Sequence, residues 1–224
     1  MNTRFIAEIC WDADEALSKP GGANRFTEWW CREYFGNEAA NDALATYNGY
    51  FQMIHSHNQI WQGAKSLDRA MLEAGYCLPF THKIVVPNEK VSVELEEIRE
   101  RERKYDVIFK SAEQATSKMN KEQTLFFFDN AMYGMLIDYR PTQAAALMWE
   151  FAQKRPNRKT SRALIYQAME KLETLEKETL KAEYPPFENW YKPTWARLPG
   201  SLNNVHYSYD RMKEFMLKFN ISGE

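Results

Sequence analysis

Trp29-Trp30-Cys31-Arg32-Glu33-Tyr34-Phe35-Gly36-Asn37-Glu38-Ala39-Ala40 reads as a junction between two helices. An aromatic-rich helix, opened by Asn24 or Thr27, stops at Gly36, the residue type that takes the left-handed conformation closing a helix. Asn37 can cap the next helix, expected to run to about Trp61. Ala40, Ala43, Leu44, Tyr47, Tyr50, Phe51 and Ile54 recur in it at three- and four-residue spacing, so one face is core. Trp30 and Phe35 are expected to be buried, and Tyr34, Tyr47 and Tyr50 to lie in the core or at helix interfaces.

The same spacing continues outward. Leu67, Ala70, Met71 and Ala74 predict a shorter helix ending at Gly75. From Lys90 to Met119, Val91, Leu95, Ile98, Tyr105, Ile108, Phe109 and Ala112 mark a buried side, with Glu97–Arg101 and Glu100–Lys104 pairs expected on the other. Asn120 caps a helix expected to end before Tyr139 and Pro141; Pro141 then suits the first turn of another. Thr160 or Ser161 opens a helix to Tyr184, stopped by Pro185-Pro186, and a short one spans Tyr209 to Phe219. Residues 4 to 11 fit a strand or a first helical turn equally, Lys19-Pro20-Gly21-Gly22 is a turn, and the β-branched run from Thr81 to Val86 is extended. The fold class is therefore all-α: a multi-helix bundle, mostly up-and-down, with at most one short extended segment. Residues 1–224 form a single helical domain, divided as N-terminal helices (1–78), a linker (79–89), a long-helix bundle (90–184), and a Trp- and Pro-rich coil with a last helix (185–224).

Composition sets limits. The 224 residues, 44% hydrophobic and 14% aromatic, can bury a sizeable core. Basic residues number 29 and acidic residues 31, with no dense Lys/Arg strip, which argues against nucleic acid as a partner. No apolar run approaches the roughly 20 residues that span a bilayer. The start of the chain carries acidic residues where an export signal would be apolar. Cys10, Cys31 and Cys77 are too few and scattered for a disulfide framework, and buried free thiols are the expectation. His55 and His57 are two apart and point away from each other on a helix, while His82 and His206 are isolated. No metal site or cofactor is expected.

No nucleophile elbow, phosphate loop or dinucleotide fingerprint is present. Asp129, within Leu125-Phe126-Phe127-Phe128-Asp129-Asn130, is the weak catalytic candidate: on a regular helix it shares a face with Leu125, Phe128, Met132 and Leu136, where burial would raise its pKa unless it is paired. The bland reading is a buried Asp bonded to a helix end or an Arg. Glu150 invites the same thought less strongly, and Glu28 suits a first-turn interaction with the helix dipole. Trp190, Tyr191 and Trp195, in a Pro-rich coil, could offer flat faces to a sugar ring or simply cover the end of the bundle.

The Trp-x-x-x-Tyr-Phe-Gly stretch leading into an Ala-rich, Tyr-bearing helix resembles the start of the helical domain of the xylan α-glucuronidases of glycoside hydrolase family 115. Leu136-Ile137-Asp138-Tyr139-Arg140-Pro141, followed by Ala144, Ala145, Leu147 and Trp149, is similar to that family's Tyr-Pro turn and the helix after it. Gln153-Lys154-Arg155-Pro156-Asn157-Arg158 resembles its basic, Asn-containing exit. Glu188-Asn189-Trp190 keeps only the Trp of the family's Gly-Lys-Trp, and Ser56-His57-Asn58-Gln59 replaces a basic-Pro-Glu run. The resemblance implies a multidomain enzyme releasing glucuronic acid or its 4-O-methyl form from xylan, with catalysis on a barrel outside these residues. Its implied partners are that catalytic barrel and an acidic polysaccharide or oligosaccharide; homo-oligomers stay open, as does a periplasmic or extracellular parent. No catalytic residue of the barrel transfers to this chain. Two other classes compete: a stand-alone helical interaction module, and a small intracellular α-helical enzyme using Asp129.

Overall fold

A computed structural model describes residues 22–57, 62–77, 88–154, 158–182, 204–219 and 221, with side chains for most of them. The described residues are helical almost throughout, with no strand among them; the all-α expectation holds. The helices are α1 (Gly22–His57), α2 (Gln62–Cys77), α3 (Asn88–Thr116), α4 (Lys121–Phe127), α5 (Tyr133–Lys154), α6 (Arg158–Thr179) and α7 (Asn204–Lys218). A π-helical turn, Phe128–Met132, joins α4 to α5, and a 3₁₀ turn, Leu180–Ala182, follows α6. The expected extended run at 81–86 lies outside the described residues.

Contacts divide the chain into two compact units. The first comprises residues up to 58 together with 106–134, and the second 59–105 with 135–224. Neither is continuous in sequence.

In the first unit, α1 is broken at Gly36, where φ is 76° and ψ 164°. Positive φ is as expected, but the ψ value belongs to an extended, mirror-β conformation rather than the left-handed helical one, a region essentially reserved for glycine. Gly36→Ala is therefore expected to lose about 1–3 kcal/mol, although a Cβ there would meet nothing within 4 Å. Asn, which tolerates the left-handed region, should not rescue it. Urea unfolding of both variants checks this; an unchanged midpoint for Gly36→Ala would contradict it.

The break folds the aromatic residues around it into a core. Trp30 and Phe35 are 1% and 2% exposed and meet edge to face at 5.3 Å. Trp30 also meets Tyr47 edge to face at 5.2 Å, and Phe127 meets both Phe35 and Tyr47 the same way. Such edge-to-face pairs add about 0.5–1.5 kcal/mol each beyond the area they bury. Tyr34 takes the helix-interface alternative: it lies at the margin of this cluster, part-exposed, with its ring stacked on Phe126 of α4. Cys31 is fully buried and free, and burial pushes its thiol up to about 12. The Tyr47 hydroxyl is buried without a hydrogen-bond partner, and that desolvation, with Cys31 adding to it, pushes its phenol upward. Tyr47→Phe is thus expected to be neutral or stabilising by up to about 1 kcal/mol, since an unmet buried hydroxyl costs more than it returns. A loss above about 1 kcal/mol in thermal unfolding would show that the hydroxyl is bonded.

Asn120 caps α4 as expected, in a reciprocal capping box with Gln123. Gln123 Nε2 also donates to the Tyr34 carbonyl at 2.9 Å, tying α4 to α1.

In the second unit, α5 corrects two expectations. It does not end before Tyr139, and Pro141 is not in a first turn; the helix runs through Pro141 to Lys154. An interior Pro removes one helix hydrogen bond and costs about 3 kcal/mol. Burial beyond it offsets the loss, for Ala144, Ala145, Ala146, Met148, Trp149 and Phe151 are all at most 1% exposed. They pack in one cluster with Leu67, Ala70 and Met71 of α2, Ile165 and Leu172 of α6, and Met212 and Phe215 of α7. Trp149 Nε1 donates to Ser66 Oγ at 3.0 Å, which satisfies the indole inside that core.

Candidate functional site

The densest polar constellation among the described residues is built around Asp138 in the second unit. Asp138 lies on α5, Arg101 and Tyr105 lie one turn apart on α3, and Gly63 is in the first turn of α2. The Asp138 and Arg101 side chains are 4% and 7% exposed. Asp138 Oδ2 accepts from Arg101 Nε at 3.0 Å, from Arg101 Nη2, and from the Tyr105 hydroxyl at 2.7 Å. Its Oδ1 accepts from the backbone N–H of Gly63 at 2.7 Å, so the carboxylate satisfies one of the open amides at the start of α2. Thr142 Oγ1 closes the group by donating to the Asp138 carbonyl at 2.7 Å.

Burying an ion pair pays only where geometry and extra hydrogen bonds satisfy the remaining lone pairs. Asp138 meets that condition with four donors. Arg101 meets it less fully, its Nη1 being buried without an acceptor, while its guanidinium stacks over the Tyr105 ring at 5.5 Å. A carboxylate so committed is a poor nucleophile or proton donor; what it does is lock α2, α3 and α5 together. Gly63 belongs to the same arrangement, because a Cβ there would run into the Asp138 carbonyl and lie 2.7 Å from both Thr142 N and Oγ1.

This network overturns the expected Glu97–Arg101 surface pair: Arg101 turns inward, and Glu97 stays exposed. The Glu100–Lys104 pair is present at 3.8 Å, half-exposed on both sides.

Asp129 sits in the π turn and is half-buried. The Tyr133 N–H reaches back five residues to the Phe128 carbonyl, so the 3.6-residue register that placed Asp129 on one apolar face is interrupted there. Leu125, expected on that face, is 44% exposed, whereas Leu136 is buried. Glu150 is ion-paired with Arg99 at 2.7 Å and with Lys154. Those partners, the Lys154 hydrogen bond foremost, hold its carboxyl below the usual range against partial burial. It stays ionised, which is the wrong state for a general acid. Asp138 and Glu150 lie on one helix about 18 Å apart along its axis, well beyond the 9.5 Å or so that glycoside hydrolysis needs. Glu28 is not in a first turn; it pairs with Arg32 one turn on, at 2.7 Å and exposed to solvent.

Trp190, Tyr191 and Trp195 lie outside the described residues, as do the side chains of Cys10, Cys77 and the four histidines. Among the described residues no group of three or more His, Cys, Asp or Glu is placed to hold a metal ion, and no helix is long and apolar enough to cross a membrane. The second unit also carries a groove of about 320 Å³ between α2 and α7, floored by Met71, Phe215 and Phe219 and edged by Asp68, Leu72 and Arg211. Arg211 is held at that edge by Glu214 at 2.6 Å.

No protein-family model matches the chain, and neither a curated protein nor a solved structure matches it.

Proposed function

We propose that these residues form a non-catalytic helical domain of a family-115-like glycoside hydrolase acting on glucuronic-acid-decorated xylan, supporting a catalytic barrel or the walls of its substrate cleft. One observation carries the reading: most of the apolar side chains on which the family resemblance rests are core residues, Tyr34 and Leu147 being exceptions. Trp30, Phe35 and Tyr47 are buried together in the first unit, and Tyr139, Ala144, Ala145 and Trp149 are buried in the second. The state of the carboxylates agrees with a supporting role, since Asp138 and Glu150 are spent on ion pairs. A contribution of Trp190, Tyr191 and Trp195 to sugar binding would be weak in the domain alone, because a shared site loses the contacts and pre-organisation its neighbour supplies.

The test is glucuronic acid release from glucuronoxylan by the whole product of the gene, with calorimetric titration of acidic xylo-oligosaccharide into this chain alone. Release by the whole product, with weak or no binding by the chain, is the expected result. If the whole product releases none and is helical throughout, the reading fails. The stand-alone interaction module would then take its place.

A further inference from the structure

We draw no further inference here: the strongest candidate, the apolar groove between α2 and α7 edged by Asp68, Leu72 and Arg211, carries nothing because nothing in the structure shows what covers it.

Discussion

Asp138→Ala is expected to lose about 3–5 kcal/mol of stability, the cost of leaving a buried charge without its partner. Removing the carboxylate strands the buried Arg101 guanidinium and takes the acceptor from the Tyr105 hydroxyl and the Gly63 N–H at the same time. Asp138→Asn should also be costly. Its amide oxygen can keep the Gly63 bond, but no negative charge remains to face Arg101. The loss should shrink, without vanishing, when the charge leaves as well: Arg101→Met combined with Asp138→Leu removes the stranded cation, while the Tyr105 hydroxyl and the Gly63 N–H still lack their acceptor. Urea unfolding of the single variants and the double variant measures both effects. A single-variant loss under about 1 kcal/mol would mean that water reaches Arg101 and that the pair does not lock α2, α3 and α5.

Gly63→Ala is the second large effect, expected at about 2–3 kcal/mol destabilising. Helix propensity alone favours Ala over Gly by about 1 kcal/mol, so the sign of the result separates the two influences. The atoms a Cβ would strike include the Asp138 carbonyl and the Thr142 amide, which are backbone and cannot swing aside. The start of α2 would have to move away from α5, stretching the 2.7 Å bond from Gly63 N to Asp138 Oδ1. Gly75→Ala is a useful comparison in the same helix, its Cβ standing 3.3 Å from the movable Phe219 ring. Thermal unfolding should show a clear drop for Gly63→Ala and a smaller change for Gly75→Ala; equal midpoints would contradict the close approach.

Which of these features the sequence revealed follows from the range of the interaction behind each. Gly36 and Asn120 were legible because a helix break and a helix cap are decided within a few residues, and both stand where expected. The conformation at Gly36 was legible only in φ, since ψ depends on where Asn37 must lead the next helix. The pairing of Asp138 with Arg101 is not legible locally, because the two are 37 positions apart. A signal did exist. Arg101 falls in the apolar series Ile98, Tyr105, Ile108, so a charge stands where the spacing calls for a core residue. Asp138 likewise interrupts the run Met135-Leu136-Ile137. Two opposite charges at core positions are more economically paired with each other than left single. The bland reading of Asp129, a buried Asp bonded to a helix end or an Arg, describes Asp138, which bonds both the start of α2 and Arg101. Asp129 misled because one π turn shifts the helical register, and nothing in Phe127-Phe128-Asp129-Asn130 announces that shift. Pro141 misled for another reason: local preference for a first turn was overruled by the burial of the helix beyond it.

The proposed support of catalysis carried out elsewhere is decided by assaying glucuronic acid release from 4-O-methylglucuronoxylan by this chain alone. No release above the uncatalysed background is expected, and no difference between the wild-type chain and Asp129→Asn. Turnover by the wild-type chain that disappears in an Asp129→Asn variant retaining its helical content and unfolding midpoint would contradict the supporting role, and would place the chemistry at the π turn.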